Sequence, residues 1–180
     1  MFYRCAFNIG HLSKRIQASS ESKLLDSAFK KFEDDNFADG HEIIEDLVTH
    51  SHALALVLSS MYSLEDESEK QFDDRHLSQL LAASDGNEPL AHYALGVYFD
   101  TGEIVACVDK QAACEYFWRA AEGGVPQGMH VFGIMLYYGT GGAEKDESRG
   151  LSMIKSAADS GVDDAIEFLK LIGNPTGQTY

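Results

Sequence analysis

The chain has 180 residues, 44% of them hydrophobic and 11% aromatic, enough to close one sizeable core and too apolar for a disordered segment. Its formal net charge is −15, from 14 basic and 29 acidic residues. A body of that sign repels phosphate backbones and anionic lipid, which disfavours nucleic-acid and membrane partners, and it attracts basic proteins.

Only three prolines occur, and alternating Val/Ile/Thr runs are absent, so the pattern predicts an all-α fold. The cysteines are Cys5, Cys107 and Cys114. An odd number without a paired framework points to free thiols and a reducing compartment. The beginning, MFYRCAFNIGHLSKRIQ, lacks a signal-peptide pattern, and no stretch reaches the roughly 20 apolar residues that span a bilayer. A cytoplasmic location is therefore expected.

Residues 1–20 hold Arg4, Lys14 and Arg15 and no acid. With Phe2, Tyr3, Phe7, Ile9, Leu12 and Ile16 they are expected to pack on the first hairpin; docking on a second molecule is the alternative. Residues 21–50 read as a degenerate helical hairpin, with Leu24, Ala28 and Phe32 lining its first helix and Ile43, Ile44 and Leu47 its second. Within it, His41 to Glu45 differs from the zinc-protease helix H-E-x-x-H by ending in Glu, so a surface helix pair is the simpler reading. His50 and His52 sit at a helix junction and do not share a helix face.

Residues 51–87 form a degenerate unit of the same design as the two after it. Leu58 and Tyr62 precede Leu95 and Phe99 by 37 residues, and Ser59 precedes Gly96 by the same step. Ala82-Ala83 and Gly86 echo Ala120-Ala121 and Gly124 at a step of 38, and the acidic stretch LEDESEKQFDD between is read as a lengthened loop.

Residues 88–124 and 125–161 repeat one another at a step of 37: Gly96 with Gly133, Gly102 with Gly139, Asp109 with Asp146, Ala120-Ala121 with Ala157-Ala158, Gly124 with Gly161. In the first, helix A carries Ala91, Leu95 and Phe99 on one stripe. A mid-helix glycine costs about 1 kcal/mol relative to alanine, so Gly96 and Gly133 are expected to admit a neighbouring helix to close contact. Gly102 and Gly139 suit left-handed caps, Asp109 and Asp146 suit N-caps, and Pro126 suits a first helical turn. Helix B offers Ala112 or Ala113, Tyr116, Phe117 and Ala120 in one unit, and Leu151, Ile154 and Ala157-Ala158 in the next. Residues 162–173, with Ala165, Ile166, Leu169 and Ile172, form half a unit that closes the stack; residues 174–180 are a tail.

These residues resemble the Sel1-like repeat, a relative of the tetratricopeptide repeat, whose unit reads A-x-x-x-L-G-x-x-Y-x-x-G, loop, Asp, and a helix ending A-A-x-x-G. Ala91, Leu95, Gly96, Phe99, Gly102, Asp109, Ala120, Ala121 and Gly124 match in one unit. Gly128, Phe132, Gly133, Leu136, Gly139, Asp146, Ala157, Ala158 and Gly161 match in the other. Phe99 and Leu136 stand where tyrosine is usual, and Gly128 replaces a small alanine. The resemblance implies a short right-handed α/α superhelix of helical hairpins with a C-terminal capping helix, working as an adaptor or scaffold without enzyme activity or cofactor.

In the tetratricopeptide arrangement the A helices line the concave face. Carried over by position, the partner-binding row is Leu90, Tyr93, Val97 and Asp100 in one unit and His130, Ile134, Tyr137 and Tyr138 in the next. Thr101 and Gln127 flank the row, and Ala53, Leu56 and Ser60 would extend it. A protein partner, basic by charge, is the leading expectation; self-association stays open. The alternatives are an immunity or inhibitor protein that neutralises a bacterial effector toxin, a nucleic-acid mimic built on the acids between Glu65 and Asp74, and a regulatory subunit of an enzyme. An enzyme using Cys114 with His92 or His130 is disfavoured by the acidic surroundings. Gly139 to Asp146 lacks the preceding strand and the G-K-[ST] ending of a phosphate cradle. Trp118 is assigned to the core, with a binding anchor as the alternative.

Overall fold

The computed structural model describes residues 20–34, 36–50, 52–64, 66–105 and 107–173; the expectations for 1–19 and for the tail 174–180 lie outside them. The regular structure among these residues is helical: α1 Ser20–Glu33, α2 Phe37–Thr49, α3 Ala53–Ser60, α4 Glu69–Asp85, α5 Pro89–Thr101, α6 Lys110–Glu122, α7 Pro126–Tyr138, α8 Glu147–Asp159 and α9 Asp163–Gly173. They pack as consecutive pairs, α1 with α2, α3 with α4, α5 with α6 and α7 with α8. The chain divides into two compact units at Glu88/Pro89.

In the unit from Pro89 the 37-residue step governs backbone geometry as well as side chains. Asp109 caps α6 by accepting from the Gln111 and Ala112 amides at 3.0 and 2.9 Å, and Asp146 caps α8 by accepting from the Arg149 amide at 2.9 Å. The same two aspartates donate their own amides to the Phe99 and Leu136 carbonyls at 2.8 Å, which clamps each loop to the preceding A helix. Helix α6 ends in a Schellman motif: the Val125 amide bonds the Ala120 carbonyl and the Gly124 amide bonds that of Ala121, both at 2.9 Å. One step later, Val162 and Gly161 bond Ala157 and Ala158 in the same way.

The mid-helix glycines are contact points, as expected. A Cβ on Gly96 would lie 2.8 Å from the Phe117 ring, and one on Gly133 would lie 2.8 Å from Ile154 Cγ1 and 2.9 Å from the Gly150 carbonyl oxygen. Ala91, Leu95, Ala113, Phe117, Ala120, Ile154 and Ala157 are buried between the paired helices. Helix α9 takes the place of an A helix, with Ala165 fully buried. At the register of Gly133 it carries exposed Lys170, a bulky charge where a further B helix would have to approach.

The first unit departs from these expectations. Leu24 is 42% exposed, and Leu25 at 1% takes the core place assigned to it, beside Ala28. The echo of Gly124 is Asn87, not Gly86. Asn87 has φ +59 where Gly124 has +78, and its amide bonds Ser84 while Glu88 bonds Ala83, so the step is 37 here too. The acidic stretch is not a lengthened loop. Residues 61–68, 102–109 and 139–146 are eight residues each, but the first lies four residues early in register. Ser68 and Gln71 form a capping box that starts α4 a turn sooner, so α3 has 8 residues and α4 17 where α5 to α8 have 13 each. Glu69, Asp73 and Asp74 are therefore helical, and Phe72 among them is buried.

Candidate protein-binding surface

Helices α5, α7 and α9 place the expected row on one side of the second unit. Tyr93 and Val97 are half-buried against the core cluster containing Phe117 and Phe132, with the Tyr93 and Phe117 rings 6.0 Å apart. Leu90 is also half-buried. Asp100 is held by Lys110, whose ammonium donates to its carboxylate at 2.8 Å and to its carbonyl at 2.9 Å. Ile134 packs on the Ile154 cluster. These residues are anchored, and much of their apolar area serves the stack itself.

The outer end of the row differs. Tyr137 is half-buried and Tyr138 is 56% exposed; their rings meet at 4.9 Å and 87°, and Phe168 of α9 stands edge-on to both, at 5.5 and 6.3 Å. Leu171, one step of 37 beyond Ile134, is 66% exposed. The Asp164 carboxylate acts on both Tyr93 and His130. Burial lifts the Tyr93 phenol above its ordinary pKa, and Asp164 adds to the lift. Burial pushes the His130 imidazole down, with Asp164 opposing. His130 Nδ1 is buried without a hydrogen-bond partner.

Asp164, Phe168 and Leu171 were absent from the sequence-derived row because α9 reads as a cap whose apolar residues belong inside. Adding 37 to Gln127 and Ile134 would have found two of them. At the other end, Ser60 is wholly buried and donates to the Val57 carbonyl, so it does not belong to an outward row. Trp118 is not core: it is 38% exposed on α6.

The remaining candidates have structural roles. The His41 ring packs between Phe32 and Tyr62, with centroids 5.3 and 4.3 Å away, and burial lowers its pKa. Glu45 accepts from the Tyr62 and Ser59 hydroxyls. His50 Nδ1 lies 2.7 Å from the Asp46 carbonyl, and His52 caps α3. Among the described residues no three His, Cys, Asp or Glu side chains gather as metal ligands. The Cys114 thiol is pushed up by burial and then by Glu115, the reverse of an activated nucleophile; Cys107 is exposed, and the two are unbridged. Gly139 caps α7 at φ +70, and Asp146 fills the N-terminus of α8, which leaves no cradle for phosphate. No helix among the described residues is long and apolar enough to cross a membrane.

No family model matches the sequence, and no curated protein matches it. Solved structures do match. A Sel1 repeat protein from Oxalobacter formigenes superposes with a TM-score of 0.62 at 24% identity, over 71% of this chain and 94% of that one. A protective antigen of uropathogenic Escherichia coli with an SLR fold gives 0.63 at 18% identity; it is matched over 93% of this chain, which spans 37% of the antigen. Cysteine-rich protein B of Helicobacter pylori gives 0.50 at 20% identity, over 84% and 98%. The chain has the Sel1-like repeat fold, as residues 88–161 indicate.

Proposed function

We propose that the chain is a non-enzymatic protein-binding module that holds a basic polypeptide against the side of residues 89–173 formed by α5, α7 and α9. The observation that carries this reading is the exposed aromatic corner of Tyr137, Tyr138 and Phe168, continued by Leu171. Tyr138 and Leu171 are the most exposed of the large apolar side chains described. Solvent exposure of such groups costs stability and serves no packing, whereas a partner would cover them. The corner is bordered by Asp163, Asp164 and Glu167, so a cationic segment is drawn to it and an acidic one repelled.

Supporting the non-enzymatic reading, the Cys114 thiol is buried and held above its ordinary pKa, which disfavours the thiolate a nucleophile needs. The test is a photo-crosslinking amino acid placed at Tyr138 and, separately, at exposed Ser152 on α8, in cells that make the protein. A discrete protein adduct is expected from position 138 only, and it should vanish when Leu171→Asp is added. Equal labelling from both positions, or an adduct indifferent to Leu171→Asp, overturns the proposal.

A further inference from the structure

The second unit has another concavity, lined by α6, by Phe132 and Leu136 of α7, and by the start of α8. The loop 139–146 folds back over the start of α6. A Cβ on Gly142 would sit 3.1 Å from Gln111 Cγ, and one on Gly141 would sit 3.6 Å from the Lys110 carbonyl oxygen. Between that loop, α6 and the first turn of α8 lies a groove of about 1220 Å³. Its floor is apolar: Cys114, Phe132 and Leu136 are each under 10% exposed, and Trp118 stands half out of it. Its rim carries Glu115, Glu122, Glu144, Asp146 and Glu147 against Lys145 and Arg149.

Trp118 is not required by the fold. One step of 37 further along, the same B-helix position holds exposed Lys155, and one step back it holds exposed Leu81. The neighbouring repeat therefore folds with an ammonium where this one has an indole. The volume exceeds the roughly 300–1,000 Å³ of ordinary small-molecule pockets and suits a length of chain. The charge selects the sign of the occupant. Lys145 and Arg149 are paired with Glu147 and Glu122, at 2.7 and 3.5 Å, and Arg119 beside the rim with Glu115 at 2.9 Å; the five rim carboxylates outnumber these three cations, so the rim is net acidic. Asp146 places a carboxylate at the start of α8, where it accepts from the Arg149 amide, and so weakens the field an anion would meet there.

We infer that this groove takes an extended basic segment of another protein. One aliphatic or aromatic side chain seats on Trp118 and Leu136, and flanking Lys or Arg side chains lie against Glu115, Glu122 and Glu144. Arginine adds a cation–π contact to the exposed indole. This site is separate from the α5/α7/α9 surface, and the two readings stand or fall independently.

Trp118 is the only tryptophan of the chain, so its emission reports the groove directly in the full-length protein. The probe is the synthetic peptide acetyl-GKRLKFKRG-amide. Its controls are acetyl-GEELEFEEG-amide and acetyl-GKRSKSKRG-amide. The basic apolar probe is expected to change Trp118 emission saturably and to bind at least about tenfold more tightly than either control. Raising NaCl from about 50 to about 500 mM should weaken it severalfold. Glu122→Lys and Glu144→Lys, both at exposed side chains, should each weaken binding about tenfold with unchanged circular dichroism, whereas Tyr138→Ser should leave it unchanged. No saturable change up to about 1 mM peptide, or an acidic control that binds equally, overturns the inference. So does a loss through Tyr138→Ser without loss through Glu122→Lys, which would put the peptide on the aromatic corner. A peptide of residues 1–19 binding more tightly than the probe would assign the groove to a second copy of this chain and overturn the foreign partner.

Discussion

Two hairpins, α3/α4 and α7/α8, are built to the same register and held by different forces. At the position where Gly133 brings α7 against α8, α3 carries Ser59, which is buried, donates to Glu45 and accepts from the Gln79 amide at 2.9 Å. At the position of Gly150, α4 carries His76, 2% exposed, whose ring donates to the Ser60 carbonyl at 2.7 Å. The intervening hairpin has Gly96 and Ala113 at these places. Along the chain the second member of the pair thus runs His, Ala, Gly as the helices close from a polar bridge to backbone contact. A single period tolerates both solutions because it fixes which faces meet, not how near they come.

Among the contacts that set the spacing of the paired helices, the largest expected effect breaks the close hairpin. A Cβ on Gly150 would stand 2.6 Å from the Gly133 carbonyl oxygen and 2.8 Å from the Tyr137 nitrogen, backbone against backbone with nothing soft to yield. Gly150→Ala should therefore lose about 3 kcal/mol or more despite the gain in helix propensity. At the matching place in the open hairpin, His76→Ala should also destabilise, by about 1–3 kcal/mol, but through a void and an orphaned carbonyl. Urea unfolding measures both. A Gly150→Ala protein as stable as the parent would remove the close-contact account.

Next comes the polar bridge of the first unit. Arg75 donates to both Glu67 carboxylate oxygens at 2.7 and 2.8 Å, to the Ser59 and Tyr62 carbonyls at 3.1 and 2.6 Å, and to Gln79 at 2.9 Å. The Glu67 side chain is 7% exposed and that of Arg75 19%, so salt should screen the pair poorly. Arg75→Met leaves that carboxylate with the Leu64 amide at 3.0 Å and no cation, removes the guanidinium donors from both carbonyls, and should cost about 2–3 kcal/mol, nearly unchanged in high salt. A cost that vanishes near 1 M salt, where the screening length is about 3 Å, would make the bridge a surface pair instead. Gly96→Ala should cost less, about 1–2 kcal/mol, because its neighbour is the Phe117 ring at 2.8 Å and a ring can tilt where a carbonyl cannot.

This contrast marks what was readable from the chain. The glycine-built hairpins were legible because glycine and aspartate are demanded by geometry: a left-handed cap, a close approach, an amide to be satisfied. The polar bridge was not, since Ser59, His76 and Arg75 are ordinary helix-surface types whose roles appear only once α4 is known to start at the Ser68 capping box. The one-residue error at Gly86 has the same root: Asn87 can adopt the left-handed cap, and glycine was assumed to hold it. The candidate row was half legible. Position along the repeat found Tyr137 and Tyr138, while Phe168 and Leu171 were hidden by reading α9 as a plug.

Acid separates the two units in a smaller way. Burial holds His41, His76, His92 and His130 below their ordinary 6.5, so the unfolded chain takes up protons before the folded one does. Stability from these groups is complete above that value and is lost as pH falls below it, in both units. Glu67, held below its ordinary 4.5 by Arg75, contributes stability that is present above 4.5 and lost as pH falls through its lower folded value, in the first unit alone. Thermal midpoints should drop in step by circular dichroism and by Trp118 fluorescence on going from pH 7.5 to about 5.5, by a few degrees. Below about 4.5 the dichroism should fall first, because the indole reports only the second unit. Coincident transitions at every pH would contradict a first unit that depends on its own carboxylate.

The smallest effect is expected where two repeats differ most in chemistry. Phe117 and Trp118 are adjacent on α6, yet Phe117 is 2% exposed against the Gly96 backbone and Trp118 is 38% exposed on the groove. Their counterparts on α8 are Ile154, wholly buried, and Lys155, exposed. Phe117→Ala should cost about 3–5 kcal/mol, whereas Trp118→Lys should stay within about 0.5 kcal/mol of the parent. If the lysine variant is as damaging as the alanine one, the indole is part of the core after all, and the groove loses its reason to hold an exposed aromatic. If it is neutral, folding does not need the indole, and its exposed face is free to serve an occupant of the groove.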